Sequence, residues 1–281
     1  MEIRDAPRGR PVTEDEAKAV LNAVLDAGVN FIDTSIDYGR SEEFIGKYIS
    51  HRRAEFYLAS KCGCVVVPAA VAQGGHAYIR ENIVAGVNQS LARMKTDYLD
   101  VVQFHGSPSK EVLQENEAIE TLLDLQREGK IRFLGSSSTL PHIEDHIEMG
   151  VFDEFQIPYS ALQREHEETI MRAAGAGIGT VIRGGVAKGD PGASGVPRPD
   201  TWTKFDEANL DDLREESESR TDFMLRFTVS HPRMHTTIVG TQNLDHLRAN
   251  VEAALKGPLP SDVYEEAKRR LASVDVKPAL P

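Results

Sequence analysis

Short apolar runs rich in Val, Ile, Phe and Tyr alternate along this chain with longer stretches whose apolar residues recur every three or four positions. The first pattern predicts strands and the second helices. Strands are predicted at 30–34 (NFIDT), 56–60 (FYLAS), 98–104 (YLDVVQF), 131–137 (IRFLGSS), 154–160 (EFQIPYS), 179–185 (GTVIRGG) and 235–241 (HTTIVGT). Helices are predicted over 13–27, 41–50, 79–95, 111–128, 139–149, 166–177, 206–230, 243–255 and 261–273. Thr13 precedes Glu14, Asp15 and Glu16, which suits a helix start. Gly28 and Gly129 fall where helices should stop.

Alternating strand and helix implies a parallel sheet with right-handed crossovers. The repeats fill the chain without a composition break, so one domain over 1–281 is expected. An open doubly wound sheet and a closed TIM-type barrel both fit. No G-x-G-x-x-G follows the first strand, which weighs against a dinucleotide-binding Rossmann domain. Asp33, Lys61, His105, Ser137 and Gln156 come at the ends of five successive strands. In a barrel such ends converge on one face, where these proteins keep their chemistry; in an open sheet they are strung along an edge. Convergence favours the barrel. Two long loops, 62–78 and 186–205, follow strand ends on that face and read as substrate-covering segments. The second holds the sole tryptophan, Trp202, a candidate substrate contact.

Composition narrows the field. With 40% hydrophobic residues, the 281-residue chain can bury a sizeable core. Its charge, 32 − 44 = −12, argues against wholesale binding to nucleic acid or an anionic membrane. The two cysteines, Cys62 and Cys64, cannot staple a fold, and their scarcity fits a reducing cytoplasm. The polar N-terminus is not expected to be a signal peptide, and no apolar run reaches the ~18 residues of a membrane span.

Asp33, Tyr38, Lys61 and His105 suggest one chemistry. A free phenol is a poor acid at neutral pH, with a pKa of about 10. A nearby ammonium stabilises the phenolate, and an aspartate keeps that ammonium charged and in place. A histidine can then orient a carbonyl that the phenol protonates. Each residue alone has a plainer reading: a tyrosine with a satisfied hydroxyl, a strand-end lysine in water, a structural aspartate, a buried histidine. Only the set of four reverses the balance. Cys62 and Cys64 with His76 match no common zinc spacing and supply too few ligands. A redox or substrate contact from Cys62 stays open.

The same residues resemble the aldo-keto reductase family. GVNFIDTSIDYGRSEEFIG (28–46) looks like its aspartate signature, with a tyrosine five residues on. SKCG (60–63) fits its lysine strand, and SLARMKTDYLDVVQFH (90–105) is similar to its segment ending in histidine. GKIRFLGSSS (129–138), FQIPYS (155–160) and TTIVGTQNLDHLRANV (236–251) resemble its cofactor segments, in order. The resemblance implies a (β/α)8 barrel that reduces an aldehyde or ketone with NADPH, NAD remaining an option. It implies Tyr38 as general acid, with Lys61, Asp33 and His105 in support. Ser137, Ser138 and Gln156 match the positions that hold the carboxamide, though Ser138 replaces the more typical asparagine. Arg183 takes the place of an aromatic ring that stacks on the nicotinamide. The resemblance further implies that Gly240, Thr241 and Asn243 surround a phosphate at a helix start and that Asn250 reaches the adenine.

Seven strands are readable, not eight. The family's first hairpin and first barrel strand are missing from the pattern, so the expectation is a truncated chain, with an inactive truncated reductase among the alternatives, or a substitute role for 1–7. Two other functions stay in view. One is a nucleotide-binding regulatory barrel with little turnover; the other is a metal-dependent barrel hydrolase, for which no H-x-H or similar signal exists.

Overall fold

The computed structural model describes residues 12–68, 75–189 and 202–279. The middle of each predicted covering loop, and the segment 1–7, lie outside them. Seven strands occur among the described residues, ordered as in the chain. The residues fall into two compact units. One runs to Gln156 and takes in Gly240–Leu244; the other comprises Ile157–Val239 and the chain from Asp245 onward.

The first unit opens on α1 (Glu14–Asp26). Thr13 caps it: its side chain accepts from the Glu16 amide while the Glu16 carboxylate accepts from the Thr13 amide. There follow β1 (Phe31–Asp33), α2 (Ser41–Tyr48), a 3-10 turn (Ser50–Glu55), β2 (Tyr57–Cys62), α3 (Arg80–Met94), β3 (Leu99–Phe104), α4 (Lys110–Glu115), α5 (Ala118–Arg127), β4 (Ile131–Ser137), α6 (His142–Met149) and the first three residues of β5 (Glu154–Pro158). β1 to β5 pair in parallel, with Asp33 beside Ala59, Lys61 beside Gln103 and Ser137 beside Gln156. Their interior is apolar, with Leu58, Ala59, Phe104 and Phe155 fully buried. That dry, parallel arrangement suits strands covered by helices.

Two polar devices fix the layers. Buried Glu42 on α2 accepts from Ser60 of β2 at 2.8 Å and Ser90 of α3 at 2.7 Å. Buried Asp100 accepts from the Leu58 amide at 2.8 Å and from Arg132 at 2.9 Å, and pairs with Arg53. Gly46 lets α2 approach α3, since a Cβ there would stand 2.0 Å from the Arg93 carbonyl oxygen. Two expectations change here. The helix predicted over 111–128 is two, α4 and α5, because Glu117 takes a left-handed conformation with φ +50°. β2 extends through Cys62, so Lys61 lies inside the strand rather than beyond it.

The second unit holds α7 (Glu167–Gly175), β6 (Gly179–Arg183), α8 (Thr203–Glu207), a 3-10 turn (Leu210–Leu213), α9 (Arg220–Val229), β7 (Thr236–Thr237), most of α10 (Leu244–Lys256) and α11 (Ser261–Ser273). β6 and β7 are parallel. Its core is aromatic: Tyr159, Phe205, Phe223 and Phe227 are fully buried, and Phe227 meets Tyr264 at 4.8 Å between centroids. The helix predicted over 206–230 is interrupted. Left-handed Asn209 stops it, and a new capping box, Ser219 with Asp222, starts α9. The strand predicted at 235–241 shrinks to two residues, followed by one further bond from the Ile238 amide to the Ile182 carbonyl.

Candidate active site

The site grows from the ends of β1, β2 and β3. Asp33 closes β1, and Lys61 sits one strand away and two residues further along. The Lys61 ammonium donates to both Asp33 oxygens at 2.7 and 2.8 Å and to the Thr34 carbonyl at 2.8 Å. Lys61 is 2% exposed and Asp33 5%, so the pair is dry. Burial opposes the charge on Lys61; the Asp33 carboxylate, with a smaller share from Tyr38, outweighs it and lifts the pKa above its ordinary value.

The turn after β1 brings Tyr38 back over this pair. The Tyr38 amide donates to the Ser35 carbonyl. Half-buried Tyr38 presents its ring 5.2 Å from Lys61 Nζ. His105, one residue past β3, meets the Tyr38 ring edge to face at 6.1 Å. Burial first, then the Lys61 charge, pushes the His105 pKa down to about 4, so the imidazole is neutral near pH 7. The four residues singled out in the sequence thus stand together.

Ser137 and Gln156 join them. Ser137 Oγ donates to Gln156 Oε1 at 3.2 Å, and Gln156 Nε2 donates to Asp33 Oδ1 at 2.8 Å. Gln156 keeps one amide hydrogen and one lone pair beyond these bonds, a set that complements a carboxamide. Ser138 is fully buried and shares a 2.8 Å bond with Ser107. In the segment before α10, Thr241 Oγ1 accepts from the Asn243 amide at 3.1 Å, while Gly240 is exposed. The second unit carries the other three candidates. Arg183 ends β6, with its carbonyl accepting from the Tyr159 amide. Asn250 lies on α10. Trp202 is 5% exposed, and its indole N–H donates to the Ala187 carbonyl at 3.2 Å, so its single donor is spent inside the protein.

Several neighbours were not singled out for this site from the sequence. Cys62 is fully buried; Cys64 is the cysteine at the site, with Sγ 3.2 Å from His105 Nδ1. Strict strand alternation would set Lys61 and Cys64 on opposite faces. Gly63, at φ +97°, turns the chain between them, and a Cβ there would stand 2.5 Å from the Tyr78 ring. Asp37 Oδ1 lies 3.7 Å from His105 Nδ1 and accepts from Ser35 Oγ at 2.6 Å. Tyr78 donates its hydroxyl to the His105 carbonyl. Glu154 is a buried carboxyl that accepts from Gln103 Nε2 at 3.0 Å, its pKa pushed up to about 8 mainly by burial. A glutamate opening an apolar strand is its one sequence signal.

The sequence model of the Aldo/keto reductase family matches residues 4–271. An uncharacterized oxidoreductase of Bacillus subtilis, YqkF, is 30% identical over 86% of this chain and 83% of its own length. L-galactose dehydrogenase of Arabidopsis thaliana is 25% identical over 86% of this chain and 79% of its own. The solved holo form of aldo-keto reductase AKR11C1 from Bacillus halodurans is 26% identical and superposes with a TM-score of 0.80, covering 92% of this chain and 88% of that one. The fold class is accordingly α/β of the (β/α)8-barrel type, with seven strands among the described residues. No helix among the described residues is long and apolar enough to cross a membrane. By the family match and the YqkF alignment together, this chain belongs to the aldo/keto reductase family.

Proposed function

We propose that the protein reduces an aldehyde or ketone to the alcohol with NADPH, Tyr38 acting as general acid. The observation that carries this reading is the buried Lys61–Asp33 pair beneath the Tyr38 ring. A buried ion pair gains little stability over apolar packing, so its presence fits a chemical role. When bound, the nicotinamide supplies hydride to the carbonyl carbon. Tyr38 donates its proton as negative charge develops on the carbonyl oxygen. Lys61 then stabilises the phenolate, and Asp33 holds Lys61 charged and aimed. General acid work of this kind contributes about 10²–10⁴-fold.

His105 orients the carbonyl as a neutral donor. In the tautomer this requires, the Cys64 S–H donates to Nδ1 and the Nε2–H is left for the substrate. Ser137 and Gln156 are the proposed carboxamide contacts, with Ser138 behind them. Gly240, Thr241 and Asn243 precede α10, and the positive end of a helix favours a phosphate. Arg183 and Asn250 are further proposed cofactor contacts. Trp202 is kept as a substrate contact through its ring. No cation stands at Gly240 or Gln242 to favour a 2′-phosphate, so NADH belongs beside NADPH in the test.

Fluorescence titration of NADPH and NADH, with and without a panel of aldehydes and ketones, separates binding from turnover. The reading expects saturable binding and carbonyl-dependent oxidation of the cofactor. Binding without oxidation across the panel points instead to a nucleotide-binding regulatory protein, and absence of both ends the proposal.

A further inference from the structure

Cys64, His76 and His105 meet in the first unit although they come from three separate places in the sequence. The Cys64 sulfur and the nearer ring nitrogens of the two histidines all lie within 4.8 Å of one another. Cys64 Sγ is 3.2 Å from His105 Nδ1, and the two imidazoles stand edge to face at 5.2 Å. The sequence hid this set because its third member follows a different strand and because Cys62 takes no part.

Each member is held by its own supports. Cys64 and His76 face each other across an isolated antiparallel bridge, and the Ala77 amide donates to the Gly63 carbonyl at 2.7 Å. Buried Asn82 clamps both sides: its Nδ2 donates to the Cys64 carbonyl at 3.0 Å and the Ala77 carbonyl at 2.8 Å, while Oδ1 accepts from the Val66 amide at 2.9 Å. The His76 ring stacks on Tyr78 and lies over Gly106, where a Cβ would stand 2.9 Å from His76 Cε1. Tyr78 in turn holds the His105 carbonyl. Ligand side chains anchored in this way need little reorganisation to close on an ion.

We infer that Cys64, His76 and His105 form a site for one divalent cation of the zinc type, and that filling it draws the His105 ring toward the ion through Nδ1 and so moves its Nε2–H off the carbonyl. The second half rests on the proposed reductase function; the first half does not. A thiolate with two imidazoles is a donor set that zinc and cobalt accept. Bonds of about 2.3 Å to sulfur and 2.0–2.1 Å to nitrogen place tetrahedral ligand atoms roughly 3.3–3.6 Å apart. The Cys64–His105 pair already stands at 3.2 Å, and all three ligand atoms lie within 4.8 Å of one another. The fourth position falls to water, within range of Asp37, whose Oδ1 is 3.7 Å from His105 Nδ1. Binding converts the Cys64 thiol to a metal-bound thiolate and releases one proton to solvent, with no change of oxidation state.

Cobalt(II) titration of the purified chain tests the site by absorbance. The expected result is one ion per chain with a near-ultraviolet sulfur-to-cobalt charge-transfer band. Cys64→Ser should abolish the band, His76→Gln should weaken binding at least ~10-fold, and Tyr38→Phe should leave both unchanged. Zinc should displace the cobalt and inhibit carbonyl reduction over the same concentration range, with His76→Gln inhibited only at correspondingly higher zinc. No charge-transfer band, or a band that survives Cys64→Ser, overturns the site. Displacement without inhibition of a working reductase overturns the link to His105. If no carbonyl is reduced at all, the functional reading fails, and the cobalt titration still decides the site.

Discussion

Lys61 donates to both carboxylate oxygens of Asp33, at 2.7 and 2.8 Å, across a strand pair that excludes water from both side chains. Removing one charge leaves the other buried and unmatched, at a cost of about 3–5 kcal/mol. Asp33→Asn and Lys61→Met should each lose stability on that scale. The double variant should recover most of it, because no lone charge is left. Its turnover should stay as low as that of Lys61→Met. Urea melts of the three variants measure the coupling; additive losses in the double variant would contradict the role assigned to the pair.

Close backbone contact makes a second prediction. Gly46→Ala would drive a methyl group into the Arg93 carbonyl, 2.0 Å away, and the Met94 backbone, 2.9 Å away. Neither atom can rotate aside. The variant should lose ~1–3 kcal/mol or more, seen as a lowered denaturant midpoint. Gly28→Ala, where no atom lies within 4 Å, tests φ +80° alone and should cost less.

These contacts also show how much the sequence discloses. Thr13, Gly28 and Gly129 act locally, so helix ends were legible from neighbouring residues. Asp33, Lys61 and His105 were legible because strand ends in a parallel α/β protein gather chemistry. The break at Glu117 was not, since a left-handed glutamate carries no local signal. Nor was Cys64 against His105, which depends on Gly63 turning the chain just past a strand. The Ser137–Gln156–Asp33 relay joins three strands, and sequence pattern does not disclose side-chain partners.

Glu154 ties stability to alkaline pH. Its folded pKa, about 8, lies above the unfolded value of about 4.5. The stability it contributes is therefore complete below about pH 4.5 and declines as pH rises through 8. Glu154→Gln removes that decline. Relative to wild type, it should gain on the order of 2 kcal/mol or more on moving from pH 5 to pH 8. Equal pH slopes for the two proteins in chemical denaturation would contradict a buried neutral carboxyl.

His146 acts on the acid side. Its Nε2 lies 2.9 Å from the Pro108 carbonyl oxygen, and its ring packs on Phe152 at 5.1 Å. Burial, together with His142, pushes its pKa down to about 4, with the Pro108 carbonyl and Asp145 opposing. The unfolded chain takes up the proton first, so this contribution is present above about pH 6.5 and lost as pH falls toward 4. His146→Gln keeps a donor for Pro108 and cannot titrate. It should lessen the loss between pH 7.5 and pH 5 by about 2 kcal/mol, read from denaturant midpoints at the two values. An unchanged loss would show that His146 is not its source.

Tyr38→Phe tests the central claim most directly, because it removes one oxygen and leaves the ring over Lys61. Cofactor affinity and single-turnover reduction should be measured on the same preparation, with a carbonyl that the wild type accepts. The account predicts an unchanged dissociation constant for NADPH and a hydride-transfer rate lower by about 10²–10⁴-fold. Reduction at the wild-type rate by Tyr38→Phe would contradict it.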